Sequence, residues 1–498
     1  MSGARARIGV RVVTAVSLLA MLACATGGAS GGRGLRAPAS IALPAPAAAE
    51  RPARVLLVTI AGLTPDRYLA ASEASAMPTL AALAREGVAV ETLRPAFPAA
   101  SYPAHAALVT GVSAAKHGVA AERRLGKQGT GAARVDQASD LRAASLWQAV
   151  AQQGGSVAAL DWPTTGGAAI ADLAPDLLLP AGANWQTAIE TSGRGRAAEF
   201  AMRAGGGDPG AAVPGAERDA ALVTMACGLL LAEPAPNLVL LRLSQTRVAL
   251  EAAGPDSDFA EAAFAATDTE VGRLVRCLGD AGLLDRTGIA VAGDHGAMPV
   301  HTQIRANAAL AEAGLLLPTD NGVRSWDAIA RSNGGSAFVY ATNDDSALLA
   351  RRALDAAANG TGAFRVVSAS DMVELGADPE AWFGLEAEPG YVFADTAGGP
   401  LLATASLASA GGFATADPHM ATGFVAWGPG LRRGLRVPSM RQTDVAPTLA
   451  RWMGVAFGPV EGRQMVGWFA SSGASAIRVE PAQATPSATG ASREPGRK

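Results

Sequence analysis

Lysine is almost missing from this chain: Lys116, Lys127 and Lys498 are the only three among 498 residues. With 41 basic against 44 acidic residues the net charge is −3. That balance gives no electrostatic case for nucleic-acid binding and no polybasic patch for an anionic membrane surface. Charge of either sign is scarce, at 17%, against 49% hydrophobic residues, which excludes disorder over most of the length. Three cysteines cannot staple a chain of this size and do not form a zinc-ribbon spacing. Histidine is equally sparse: His105, His117, His295, His301 and His419. A histidine-rich metal centre would need most of them. No fixed-period repeat is present, so a solenoid is excluded.

What is there first is an export signal over residues 1–24. Arg5, Arg7 and Arg11 precede an apolar run, Val12 to Ala23, of about a dozen residues, too short to span a bilayer. The run ends Met21-Leu22-Ala23-Cys24, which resembles a bacterial lipobox with Cys24 as the lipidated residue. Cleavage near Ala47-Ala48-Ala49 is the alternative. Residues 25–52 read as a small-residue linker and 471–498 as a disordered tail. The expected location is therefore the bacterial cell envelope, with a lipid anchor as the membrane attachment. Cys227 and Cys277 fall in helical apolar runs, where buried free thiols are expected, although export would permit a disulfide.

Between residues 53 and 470, short β-branched runs alternate with longer amphipathic segments. Val55–Ile60, Val157–Leu160, Asn237–Leu243, Gly288–Ala292 and Gly423–Trp427 read as buried strands, and Met77–Glu86 and Asp258–Leu278 as helices. This alternation predicts an α/β fold with a largely parallel central sheet covered by helices on both faces. Residues 299–410 are less regular and read as a lobe inserted beside that sheet. Functional residues of such folds gather just past the carboxyl ends of strands.

The segments found there are VLLVTIAGL at Val55–Leu63, FPAASYPAHAALVTGVSAAKHG beginning at Phe97, GIAVAGDHGAMPV at Gly288–Val300 and MATGFVAWGPG beginning at Met420. In this order they resemble the type I phosphodiesterase/nucleotide pyrophosphatase family of the alkaline phosphatase superfamily, across essentially residues 53–470. The resemblance implies an alkaline-phosphatase-like fold and a two-zinc centre. A zinc-bound Thr or Ser hydroxyl would attack phosphorus, and water would then release the phosphate group.

Position by position, the resemblance places the nucleophile at Ser101, at the head of a helix where anions are favoured. A plain N-cap is the other reading of that serine. Asp294 and His295 match the Asp-His pair of the first metal site, and capping the next turn is the alternative for Asp294. The remaining ligand positions are substituted. The aspartate ending the first strand is Ala61, the D-x3-H pair falls on Arg247 and Glu251, and the late histidine is Gly411. The asparagine that holds a phosphate oxygen is Glu122. Arginine carries no acceptor and cannot ligate zinc, and a carboxylate at 122 repels phosphate. His105 and His117 are not ligands in the family. Trp162-Pro163 matches a stretch near the substrate pocket of bacterial members, and packing explains it as well. The S-x-P-x-R core of sulfatases is approached by Ser101-Tyr-Pro-Ala-His but lacks its arginine, and that reading is rejected.

Arg247 is expected to replace part of the lost metal charge by pairing with Asp294 or Glu251. The resulting expectation is an exported pseudoenzyme with a binding or scaffolding role, needing no cofactor. Its partner would be a phosphate-containing ligand or an envelope protein. The alternative is an altered phosphoric-ester hydrolase using Ser101. It would work with zinc or another single divalent metal on Asp294 and His295, or with Arg247 as charge stabiliser.

Overall fold

The computed structural model describes residues 51–470, apart from 70–74, 126–132, 177–188, 190–191, 204–214 and 321. The export signal with Cys24, nearly all of the 25–52 linker and the 471–498 tail lie outside the described residues.

Six strands lead the central sheet: β1 (Arg54–Ile60), β2 (Val88–Arg94), β3 (Val157–Leu160), β4 (Asp172–Ala174), β5 (Leu238–Leu243) and β6 (Thr287–Gly293). All residues of β1, β5 and β6 are buried, as a parallel strand covered on both faces must be. The order is Leu435–Val437, β2, Thr422–Trp427, β6, β1, β5, β3, β4, with Met440–Arg441 also on β2. Thr422–Trp427 runs antiparallel between β2 and β6; the other pairings in this sheet are parallel. Each anticipated strand is present. The strand β2 was not anticipated, because its half-exposed VAVETLR pattern carries only a short apolar run.

Side chains alternate across β1. Leu56, Val58 and Ile60 face one apolar cluster, whereas Val55 and Leu57 face another. The first cluster is closed by the helices α3 (Gly215–Leu231) and α5 (Asp258–Asp280), and the shorter helix α1 (Pro78–Glu86) packs there too. Two further helices matter for the site: α2 (Ser101–Thr110) and α4 (Gln245–Ala253). Cys227 on α3 and Cys277 on α5 form a disulfide with Cα atoms 6.3 Å apart. This corrects the free-thiol expectation. Each cysteine sits in an apolar helical run, as read from sequence, but only the packing of α3 against α5 brings them face to face. Closing a loop of 50 residues contributes on the order of 4 kcal/mol in the chain-entropy account.

The segment 298–410 builds an apolar cluster that Phe97, Ala99, Phe413 and Met420 of the main part join. Its antiparallel sheet runs Ala328–Ser332, Ser336–Ala341, Phe383–Ala387, Phe364–Val367. The helix Asp344–Thr361 packs on it, N-capped by Asn343, whose side chain accepts from Ser346 N at 2.9 Å. A second small sheet is built on Met298–Ile304. His301 lies on that strand, in an alternation where Val300 is buried and His301 exposed. The turn Ser332–Gly335 carries the lobe to the functional edge of the main sheet.

Candidate functional site

Registers decide which residues meet. Ile60 is level with Gly293 on β6 and Leu243 on β5. The residues that follow, Ala61, Asp294 and Ser244, therefore emerge side by side at the carboxyl edge of the sheet, where ligands of α/β folds bind. Ser101 opens α2 beside them. Its N-cap is Ala100, with no side-chain cap, so Ser101 does not serve as the cap. A cavity of about 240 Å³ lies here, and Ser101, Glu122, Arg247, Glu251, His295 and Gly411 all contribute to its wall. Asn333 and Phe393 close it from the lobe. The residues that the resemblance assigns to the nucleophile (101), to the histidine of the first metal site (295) and to the substituted positions 122, 247, 251 and 411 thus share one hollow. Ala61 is buried beneath it, its carbonyl accepting from Thr246 Oγ1 at 2.8 Å.

Asp294 is 1% exposed. Its Oδ1 accepts from the backbone N–H of Gly62 at 3.2 Å and of His295 at 2.7 Å, and no helix follows for it to cap. Burial works against its charge, but His295, His105 and these two N–H donors hold its pKa below the ordinary carboxylate value. His295 Nδ1 donates to the carbonyl of Gly296 at 2.7 Å, and its Nε2 lies 3.6 Å from Asp294 Oδ2. A Cβ at Gly411 would lie 2.3 Å from His295 Nδ1. The imidazole therefore fills the space that a side chain at 411 would need.

Beside Ser101 stands a fully buried histidine. His105 Nδ1 faces the Ser101 carbonyl at 2.7 Å, and a carbonyl can only accept, so Nδ1 carries the proton. Nε2 then accepts from Thr59 Oγ1 at 2.8 Å. Burial pushes the His105 pKa down to about 4, despite the nearby Asp294 carboxylate. The Ser101 hydroxyl, 3.4 Å from Nδ1, meets a ring nitrogen without a free lone pair. His105 cannot serve as its general base. Trp162 packs edge-on to this ring, with centroids 4.9 Å apart, below the cavity rather than in its wall.

The opposite wall belongs to α4. The carboxylate of Asp219, on α3, accepts from Ser244 N and Gln245 N, both at 3.0 Å, and so fixes the start of α4. One turn in, Arg247 Nε donates to Glu251 Oε1 at 2.7 Å, an i,i+4 pair. Glu122 Oε2 lies 3.8 Å from the same guanidinium. Burial opposes the charge of Arg247, yet Glu251 and Glu122 raise its pKa above the ordinary arginine value. Of the two partners expected for Arg247, the structure forms the ion pair with Glu251.

Behind this wall lies a cluster that sequence reasoning missed. Arg242, on β5, donates to Asp161 Oδ2 from Nε and a terminal nitrogen, both at 3.0 Å, and to Asp176 Oδ1 at 2.7 Å. Arg218 pairs with Asp161. Arg134 donates to Asp176 at 2.9 Å, and Tyr102, next to Ser101, also bonds Asp176. The available signal was one arginine inside the apolar run LVLLRL, because an uncompensated charge cannot stay there.

The other histidines stand apart. His117 is buried, its Nδ1 accepting from Val119 N at 3.1 Å, and burial pushes its pKa down to about 3. His301 packs edge-on to Tyr391, and His419 pairs with Asp417 at 2.8 Å. His419 borders a larger hollow of about 1050 Å³, which includes none of Ser101, Arg247, Asp294 or His295 in its wall. Size would favour that hollow, but the chemistry lies in the smaller one.

The donors present do not fit a two-zinc centre. A methyl group stands at 61, a guanidinium at 247 and no side chain at 411. One oxygen of Asp294 is committed to backbone N–H groups. Among the described residues no group of three or more His, Cys, Asp or Glu is arranged to hold a metal.

A mostly parallel sheet between helices, an inserted lobe and a hydroxyl at a helix start beside an Asp-His strand end define an alkaline-phosphatase-like α/β protein. The family model for type I phosphodiesterase / nucleotide pyrophosphatase matches residues 55–405. The chain belongs to that family. Among solved structures it is similar to human ectonucleotide pyrophosphatase/phosphodiesterase 5, at 18% identity, covering 82% of this chain and 97% of that one, with a TM-score of 0.61. The murine protein of the same name matches at 19% identity with the same coverage and TM-score. So does an inactive form of it in complex with AMP. A search of the curated proteins finds no match.

Proposed function

We propose that this chain is an exported, lipid-anchored pseudoenzyme of its family that acts by binding in the cell envelope. The observation that carries this reading is the Arg247–Glu251 ion pair at 2.7 Å, which occupies the place of the family's second metal site with a fixed cation. A guanidinium there supplies charge but no coordination. The first site keeps Asp294 and His295, fewer than the three protein ligands usual for a catalytic zinc. Ser101 has no base in His105. The Cys227–Cys277 disulfide supports export, since such bonds persist in oxidising compartments.

The alternative is a phosphoric-ester hydrolase in which Ser101 attacks phosphorus, with one divalent metal on Asp294 and His295 or with Arg247 opposite the transferred group. The shared cavity wall of Ser101, His295 and Arg247 favours keeping it. Purified protein assayed for bound zinc and manganese, and for hydrolysis of an activated phosphodiester with added metal, separates the two. No bound metal and no turnover above that of Ser101→Ala is the expected result. Near-stoichiometric metal with Ser101-dependent turnover overturns the pseudoenzyme reading.

A further inference from the structure

Another hollow, of about 620 Å³, opens between the main sheet and the lobe and shares no wall residue with the cavity of Ser101. The main part contributes Arg94, which ends β2, together with Phe97, Lys116 and Arg441. The lobe contributes Val373, Glu374 and Leu375, at the end of the helix Ala369–Glu374. Direct contact beside the hollow sets the spacing of the two walls. Ala115 N donates to the Gly376 carbonyl at 2.9 Å, and a Cβ at Gly376 would lie 2.7 Å from the Ser113 Cβ.

Most charges in this wall are already paired. Lys116 Nζ lies 2.8 Å from Glu461 Oε1, and Ser113 N donates to Glu461 Oε2 at 2.6 Å. Arg441 pairs with Asp444 at 3.0 Å. Arg94 and Glu374 are left. Both are exposed and both line the hollow. Among the described residues neither makes an ion pair, and although they carry opposite charges on different walls, they do not meet. The rest of the lobe wall is aliphatic, with Val373 78% and Leu375 37% exposed, and Phe97 adds an aromatic surface from the main part.

From this arrangement we infer that the hollow binds a short apolar peptide with both ends free, its carboxylate on Arg94, its ammonium on Glu374 and its side chains against Val373, Leu375 and Phe97. A simple anion drawn to Arg94 would meet the carboxylate of Glu374 in the same hollow, and a simple cation would meet Arg94. A neutral apolar ligand would strip water from both charges and return no partner to either. A zwitterion with an apolar body gives each charge a charge-assisted hydrogen bond and covers the aliphatic wall. The bonds that hold the walls together use neither Arg94 nor Glu374, so the site is formed before the peptide arrives, which lowers the cost of binding. Because the two hollows have separate walls, the inference does not depend on the chemistry of Ser101.

Calorimetric titration of the purified protein with leucyl-leucine and with leucyl-alanyl-leucine tests it. Saturable binding of at least one peptide is expected, and none with either overturns the inference. Acetylating the amine or amidating the carboxylate of the bound peptide should each weaken binding at least tenfold. Arg94→Gln should bind the amidated and free-acid forms equally, and Glu374→Gln the acetylated and free-amine forms equally. Both side chains are exposed, and circular dichroism checks that the variants fold. Binding that ignores the blocked ends, or discrimination that survives both substitutions, overturns the inference.

Discussion

Two arginine–carboxylate clusters lie next to each other at the carboxyl edge of the sheet, and they differ in burial. The Arg242–Asp161–Asp176 cluster is buried, with Asp161 1% and Arg242 8% exposed. In the Arg247–Glu251–Glu122 cluster each side chain keeps about a third of its surface, at 37%, 36% and 34%. The pairing chemistry is the same, but the consequences are not. A buried cluster must stay complete, because a lone charge there cannot be solvated. A half-exposed cluster can lose a member to water and is free to be remodelled. The deep cluster is therefore framework, and the shallow one is the part of the edge that water and a ligand can reach.

The sharpest way to break this comparison is Arg242→Ala, which leaves Asp161 and Asp176 short of a partner. Urea unfolding at neutral pH should show a loss of about 3–5 kcal/mol. A loss no larger than about 1 kcal/mol, the most expected of an exposed pair, would remove the distinction between the two clusters.

A second expectation concerns the buried histidines behind the cavity. The folded-state pKa of His105 is depressed to about 4 from 6.5, so below pH 6.5 the unfolded chain binds the proton and the native state does not. Stability is then complete above pH 6.5 and falls as the pH drops from 6.5 to 4, by roughly 3 kcal/mol for this group. His117 adds in the same direction. Asp219 opposes them, because burial raises its pKa to about 6, so its contribution to stability improves on acidification through that range. Unfolding measured from pH 7 to 4.5 should show a net decline, shallower in His105→Asn. A pH-independent wild type would refute the neutral buried state of both rings.

The smallest effect is expected for Arg247→Ala. Exposed ion pairs contribute at most about 1 kcal/mol, so the unfolding midpoint should barely move. A cost comparable to that of Arg242→Ala would mean that the shallow cluster is framework too.

Several parts of this picture were legible in the sequence because they depend on local pattern. The all-apolar VLLVTI and GIAVA runs read as parallel strands, since both faces of such strands are covered. Ser101 before Tyr-Pro-Ala-His marked a helix start, and Asp294-His295 after GIAVAG marked a strand end. Other parts were not legible. Arg134, Asp161, Asp176, Arg218 and Arg242 come from separated segments and meet only through the order β5, β3, β4 of the sheet. The disulfide required α3 to pack against α5. The inability of His105 to accept a proton from Ser101 depends on which atoms its two ring nitrogens face.

The sequence by itself determined the sheet's buried strands and the family, because those follow from residue type and order. Tertiary structure decided how the residues past the strand ends meet. Only folding sets distance and burial, and these make Arg247 a partner of Glu251, seat His295 in the space left by Gly411, and hold Glu122 between two guanidiniums.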